Sequence, residues 1–321
     1  MFQTVAVTRN GLPGPGMTRL AEAATLRIAT SEVPLKRDAL VDLAADATAM
    51  VCVSGDQLDA SFMERCPAIR LLAVISAGYD SVDVAAARQR GLVVTNTPGV
   101  LHETVADLTF GLILAARRRL VEGDRLVRAG GWTQSDYRLL FAQDVHGARL
   151  GIVGYGEIGR AVARRAVGFG MSIVHHTRTR RDDAVSSWLP LDELLRTSDI
   201  VSLHVPLGVA TRGMIVEREL RLMRPTATLV NTARGAIVDE AALVRALHEG
   251  WIGSAGLDVQ AVEPNPDPAD PLLSAPNCVV LPHVGSATEA TRGAMVDLAV
   301  DNVLRFLGGR PVLTLIPELR G

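Results

Sequence analysis

Short apolar runs alternate with stretches of helical spacing along nearly the whole of this 321-residue chain. Val5-Val7, Met50-Val53, Leu71-Ile75, Val93-Thr95, Leu150-Val153, Ser172-His175, Ile200-His204, Thr228-Asn231, Ala255-Val259 and Val279-Leu281 are short and apolar almost throughout, and read as strands. Helical spacing follows Thr97-Pro98-Gly99 through Val105, Leu108, Leu112 and Ala116, and the pattern spans residues 97–125. It returns from Thr288 to Phe306, where Met295, Leu298, Val303 and Phe306 are apolar and Gly308-Gly309 closes the segment. Strands alternating with helices in this way predict parallel sheets of the doubly wound kind.

One strand carries more than packing. Behind Leu150, Ile152 and Val153 stand Gly154, Gly156 and Gly159 in the spacing G-x-G-x-x-G, and Ile158, Val162 and Ala166 begin a helical stripe. Gly154 suits a sharp turn, Gly156 lets backbone approach a pyrophosphate, and Gly159 allows a helix to pack closely on the sheet. The free N–H groups at the start of such a helix receive the anion. Dinucleotide binding is therefore expected, with a plain structural turn as the alternative.

The choice between nicotinamide cofactors lies at the end of the next strand, where NAD-binding chains carry an acid about 20 residues beyond the glycines. Here Met171 to His176 is followed by Thr177-Arg178-Thr179-Arg180-Arg181. With no carboxylate to repel a 2′-phosphate, and guanidinium forks that match phosphate oxygens, NADP(H) is preferred and NAD(H) is allowed. The alternative is an ordinary basic loop, with Asp182 or Asp183 reaching back to the ribose.

Composition narrows the function further. A formal charge of −2 and the lack of any basic stretch interleaved with aromatics speak against nucleic acid, and no apolar run approaches a bilayer's thickness. Arg117-Arg118-Arg119 reads as a solvated helix end. Three scattered cysteines indicate neither disulfides nor a metal site and fit a reducing cytoplasm, and the residues from Met1 to Val7 look like a first strand rather than a signal peptide. Lys36 is the sole lysine and sits in a polar segment, which disfavours Schiff-base and P-loop chemistry.

Three further motifs fall at the ends of expected strands, the edge at which open α/β sheets hold ligands. They are Asn231-Thr232-Ala233-Arg234-Gly235, then Gly256-Leu257-Asp258-Val259 with Glu263-Pro264, and Pro282-His283-Val284-Gly285-Ser286. Hydride delivery to a carbonyl needs a proton donor at the oxygen, and an imidazole beside a carboxylate suits that task. A guanidinium binds a planar carboxylate through two parallel hydrogen bonds and fixes which face of the carbonyl is presented. Plainer readings stay open: His283 as a helix cap, Glu263 as a solvated loop acid, Arg234 satisfying local carbonyls.

Together these motifs resemble the D-isomer-specific 2-hydroxyacid dehydrogenases over nearly the whole chain, from Ser76-Ala77-Gly78 through Leu203-His204-Val205-Pro206-Leu207 to the helix after His283. Within that family the likeness is greatest to glyoxylate/hydroxypyruvate reductases, including forms that reduce 2-ketogluconate. The resemblance implies a Rossmann nucleotide-binding domain, residues 99–287, inserted into a flavodoxin-like substrate domain, residues 1–98 and 288–321, with substrate held between them. It implies that Arg234, Glu263 and His283 are catalytic and that Ser76, Ala77 and Gly78 join Arg234 and His283 at a small 2-oxo or 2-hydroxy acid. Cofactor contacts are implied for Gly154, Gly156, Glu157, Ile158 and Gly159, for Thr177, Arg178, Thr179 and Arg180, and for Val205, Pro206 and Thr211. Thr104, Thr232, Ala233, Asp258 and Gly285 complete that set, with Asp258 toward the nicotinamide carboxamide. His204 would shape the loop under the adenosine.

Gln260-Ala261-Val262 departs from the family, where an aromatic and acids often precede the glutamate, which leaves the packing of that loop open. Glu263 counts against formate dehydrogenases, the absence of a loop lysine against phosphite dehydrogenases, and the length against a regulatory C-terminal domain. A dehydrogenase for another 2-hydroxy acid and a dinucleotide-gated interaction protein of the corepressor type are the competing readings. A homodimer is expected from the family, through Leu108 to Leu120 and Trp132 to Phe141, unless these are an internal helix and its loop.

Overall fold

The computed structural model describes residues 3–181 and 183–320, in two compact units, 1–101 with 286–321 and 102–285. In the first unit, β1 (Thr4–Val7), β2 (Thr25–Ile28), β3 (Ala49–Val53), β4 (Leu71–Ile75) and β5 (Val93–Thr95) form a parallel sheet in the order β2-β1-β3-β4-β5. Helices α1 (Gly16–Ala23), α2 (Arg37–Ala44), α3 (Ala60–Arg65), α4 (Val84–Gln89) and the late α12 (Glu289–Leu307) belong to it. Met50, Phe62, Leu72 and Val94 make its core with Ile316. The α12 helix starts where the Thr288 side chain accepts the Thr291 amide, a single-residue N-cap.

The second unit is a seven-stranded sheet, all parallel, in the order β12-β11-β10-β9-β6-β7-β8. Its strands are β6 (Arg149–Val153), β7 (Ser172–His176), β8 (Ser187–Trp188), β9 (Ile200–Leu203), β10 (Thr228–Asn231), β11 (Ser254–Leu257) and β12 (Cys278–Val280). The helices are α5 (His102–Arg117), α6 (Leu120–Arg128), α7 (Glu157–Gly168), α8 (Leu191–Thr197), α9 (Glu217–Leu222), α10 (Glu240–Glu249) and α11 (Pro271–Ser274). Successive strand residues point to opposite faces, and each face has its own core. Val153, Val201 and Leu229 pack with Leu243 and Ala246 on one side, and Ile152, Ile200 and Val230 with Ile113 and Ala163 on the other. Burial on both faces is why these strands read as continuous apolar runs.

Several expectations need correction. The 97–125 pattern is two helices, because the chain breaks at Arg119, which is left-handed with φ 53°. The strand expected to reach His204 ends at Leu203. Strands β2 and β8 were not foreseen.

Arg117 is not part of a solvated helix end: it is 6% exposed, while Arg118 beside it lies in solvent. Its Nε donates to the Asp144 carbonyl at 2.6 Å, and its Nη1 donates to the carbonyls of Asp199 at 2.9 Å and Thr226 at 3.3 Å. These carbonyls lie just ahead of β6, β9 and β10, so one guanidinium closes the N-terminal edge of the sheet. A buried carbonyl stripped of its donor costs about 1–3 kcal/mol. Arg117→Met should therefore lower the unfolding free energy by about 2–4 kcal/mol, against less than about 0.5 kcal/mol for Arg118→Met. Urea unfolding followed by tryptophan fluorescence checks this, and equal midpoints for the two variants would refute it.

Candidate active site

Parallel pairing determines where the site lies. Val153 pairs with His176 and Leu203, Leu203 with Asn231, Asn231 with Leu257, and Leu257 with Val280. The residues that follow these strands therefore form one row along the C-terminal edge: Thr177, Gly154, His204, Thr232, Asp258 and Leu281. Every sequence motif of the second unit lies in this row or in the loop leading from it.

The glycine turn comes first. Gly154 has φ 95°, and a Cβ there would stand 2.6 Å from the His204 carbonyl group. A Cβ on Gly159 would stand 2.3 Å from the Gly154 carbonyl oxygen, so the first turn of α7 is pressed against the turn before it. Gly156 differs, since a Cβ there meets nothing within 4 Å and faces an open cradle. It is also the N-cap of the 12-residue α7 and gives the helix no side-chain cap, so the first amides are left for an incoming anion. This turn fits a dinucleotide's pyrophosphate. Glu157 is exposed beside it, whereas Ile158 packs into the core.

At the neighbouring strand end, Thr177 Oγ1 donates to the Thr179 carbonyl at 2.7 Å, and Trp188 Nε1 donates to the Thr177 carbonyl at 3.1 Å. Arg178, Thr179, Arg180 and Arg181 are exposed. Asp182 lies outside the described residues; Asp183 accepts the Val185 amide at 2.9 Å.

The row's centre is a buried polar chain that the sequence reading missed. Ser202 Oγ meets His204 Nε2 at 2.8 Å, His204 Nδ1 meets Thr232 Oγ1 at 3.4 Å, and Thr232 Oγ1 meets Thr109 Oγ1 at 3.2 Å. Burial pushes the His204 imidazole down to about 3, so it stays neutral and acts as a spacer rather than a proton donor. Thr109, a polar residue on the buried face of α5, was the available signal. Val205 and Pro206 continue from His204, and Thr211 ties their loop by donating to the Pro206 carbonyl at 2.6 Å.

After β10 the chain turns sharply. Asn231 accepts the Ala233 amide at 3.0 Å through Oδ1 and donates to the Arg234 carbonyl at 2.9 Å through Nδ2. Arg234 is half-buried there, with Nη1 donating to the Ala233 carbonyl at 2.8 Å. A Cβ on the next residue, Gly235, would stand 1.9 Å from the Gln260 carbonyl oxygen. Only glycine permits that approach, and it holds the turn of Arg234 against the loop that carries Glu263.

Glu263 is fixed at both oxygens. Oε1 accepts the Gln260 amide at 2.8 Å, and Oε2 meets His283 Nδ1 at 2.6 Å. Burial pushes this carboxyl up, but the hydrogen bonds and the charges of His283 and Arg234 outweigh it and hold it below its ordinary value. It is therefore ionised and orients the imidazole through Nδ1, with Nε2 as the ring's other nitrogen. The unusual Gln260 finds a partner in Asn265, whose Nδ2 lies 3.3 Å from its Oε1 and also donates to Asp270 at 2.7 Å.

His283 is left-handed with φ 54°, a conformation that costs a non-glycine residue about 1–2 kcal/mol. Asp258, 1% exposed, sustains it. Its carbonyl accepts the His283 amide, and its Oδ1 and Oδ2 accept the amides of Val284 and Gly285, all three at 2.8 Å. Asp258 and Gly285 thus make a clamp that aims the imidazole, which the sequence did not announce.

Thr104 lies in the first turn of α5. Ser76, Ala77 and Gly78 lie in the other unit, at the end of β4, where the Ala77 carbonyl accepts Asn96 Nδ2 at 2.8 Å. Among the described residues, the amides of Ala77 and Gly78 donate to no backbone carbonyl, and no cluster of metal-ligating side chains is found. Among them, too, no helix is long and apolar enough to cross a membrane.

Known proteins are similar to this chain in sequence and in fold. Residues 110–285 match the family model "D-isomer specific 2-hydroxyacid dehydrogenase, NAD binding domain". A glyoxylate reductase of Korarchaeum cryptofilum is 46% identical over 314 residues, covering 96% of this chain and 94% of its own. A crystal structure of a Thermus thermophilus protein superposes with a TM-score of 0.92 at 43% identity, over 98% of this chain and 100% of that one. An NADPH-dependent glyoxylate/hydroxypyruvate reductase of Sinorhizobium meliloti, solved with NADP and malonate, gives 0.89 at 35% identity over 99% and 98% of the two chains. Strand row, glycine turn and sequence agree: this chain belongs to the D-isomer-specific 2-hydroxyacid dehydrogenases, a family of oxidoreductases.

Proposed function

We propose that the protein reduces a small 2-oxo acid of the glyoxylate or hydroxypyruvate kind to the D-2-hydroxy acid, with NADPH as the preferred donor and NADH as an alternative. The observation that carries this reading is the 2.6 Å contact of His283 Nδ1 with Glu263, set beside the turn of Arg234. Relatives named glyoxylate reductases support the substrate class.

In this reading the nicotinamide, bound along the row, supplies the hydride. His283 gives a proton from Nε2 to the carbonyl oxygen as it becomes a hydroxyl, and Glu263 offsets the charge of the imidazolium before transfer. Arg234 takes the substrate carboxylate in a forked pair and so fixes the face of the carbonyl that is attacked. In the other unit, Ala77 and Gly78 offer amides to a carboxylate beside Ser76. Gly154, Gly156, Glu157, Ile158 and Gly159 cradle the pyrophosphate. Val205, Pro206 and Thr211 line the adenosine side, and Thr104, Thr232, Ala233, Asp258 and Gly285 lie toward the nicotinamide. Thr177, Arg178, Thr179 and Arg180 receive the 2′-phosphate.

A second copy of the chain is the expected partner. Trp132, Tyr137 and Phe141 are 61%, 94% and 60% exposed, and none of the residues of α6 is buried. Apolar surface of this kind suits a subunit contact. The helix ahead of it does not, since Leu112, Ile113 and Ala116 are core.

Two measurements test these assignments. The purified protein should oxidise NADPH with glyoxylate or hydroxypyruvate, and His283→Ala should lower kcat by about 10²–10⁴-fold while leaving the Kd for NADPH within about twofold. Undiminished turnover in that variant removes the acid/base role. Arg178→Ala should weaken NADPH by about tenfold and NADH by less than about twofold, the scale of one charge-assisted phosphate contact. Equal losses for the two cofactors would show that Arg178 does not read the 2′-phosphate.

A further inference from the structure

In the first unit, two consecutive carbonyls of the loop beyond β4 are claimed by two consecutive residues beyond β5. The Thr97 amide donates to the Ser76 carbonyl at 2.8 Å, and Asn96 Nδ2 donates to the Ala77 carbonyl at 2.8 Å. Both peptide units are trans, so in each the N–H points opposite to the C=O. The first unit ends in the Ala77 amide and the second in the Gly78 amide. Tying both carbonyls to the 96–97 segment therefore turns this pair of amides away from it, in a stretch of the loop that is only half-buried.

The Thr97 tie is backbone and open to any residue but proline; the Asn96 tie needs a side-chain donor, and that donor is braced. Asn96 is 8% exposed, and its carbonyl accepts Thr314 Oγ1 at 2.6 Å. Thr314 Oγ1 in turn accepts Asn302 Nδ2 at 2.8 Å. Asn302, fully buried on α12, uses its Oδ1 to accept the amides of Leu313 at 2.7 Å and Thr314 at 3.1 Å. One chain of hydrogen bonds thus runs from α12 through Thr314 and Asn96 to a single carbonyl of the loop, and its burial makes each link costly to break. We propose that Asn96 is a positioning residue for the substrate carboxylate: by holding the Ala77 carbonyl it aims the Gly78 amide, with that of Ala77 beside it, at the incoming anion. The inference rests on the reading above, in which these amides meet a 2-oxo acid, and adds to it the residue that orients them.

Steady-state kinetics with NADPH and glyoxylate or hydroxypyruvate, whichever the wild type reduces faster, tests this in Asn96→Ala and Asn96→Leu. Leucine keeps the volume of the side chain without its donor, and thermal melting checks that each variant is folded. Oxamate, a carboxylate shaped like the substrate that takes no hydride, is the competing probe. Each variant should raise the KM for the 2-oxo acid and the Ki of oxamate about five- to tenfold, the scale of one neutral hydrogen bond. Arg234 and His283 are untouched, so kcat and the Kd for NADPH should stay within about twofold. A merely structural role would lower kcat together with the melting temperature. A KM and Ki within twofold of wild type in a folded variant, or a kcat that falls as far as KM rises, overturns this inference and leaves the proposed reaction intact. A wild-type protein that reduces neither 2-oxo acid overturns both.

Discussion

Seven strands running in one direction impose the constraint from which the site follows. Parallel pairing forbids hairpins, so each strand returns through a crossover, and all the C-terminal ends are delivered to one edge. Because pairing there is in step from His176 through Val153, Leu203, Asn231 and Leu257 to Val280, residues as far apart in sequence as Val153 and Leu203 become neighbours. Chemistry is then a matter of what stands one to three residues beyond each strand. Glycine at 154, an arginine two residues past Thr232 and a histidine two residues past Leu281 are consequences of one register.

Adjacency alone does not orient a side chain, and the second level of organisation does this through backbone. Asn231 brackets the arginine turn, Gly235 lets it approach the Gln260 carbonyl, and Asp258 uses both oxygens to sustain a left-handed histidine. Each device fixes the main chain beneath a functional group rather than touching its reacting atoms. A site held in this way keeps its geometry without spending the donors and acceptors that a substrate needs.

The doubly wound architecture was legible because strands buried on both faces advertise themselves as apolar runs, and because glycines needed for close approach appear at fixed spacing. Strand β2 was not legible: its Thr25 and Ile28 are exposed at a sheet edge, so Thr-Leu-Arg-Ile lacks the pattern of a buried strand. Strand β8 is two residues long. Arg117 was misread because a triple-arginine run looks alike whether or not a carbonyl cluster waits for one member; only the fold brings the carbonyls of Asp144, Asp199 and Thr226 to it. The pairing of Glu263 with His283 could be anticipated from residue types, whereas the role of Asp258 depends on amides that become neighbours only after folding.

The loop beyond β7 carries Arg178, Arg180 and Arg181 and no lysine, in a chain whose single lysine is Lys36. Guanidinium groups do not release their proton in the range over which proteins stay folded, while an ammonium there would fade under alkaline conditions. Because Arg178, Arg180 and Arg181 are exposed, ionic strength is the solution variable that screens their pull on any anion.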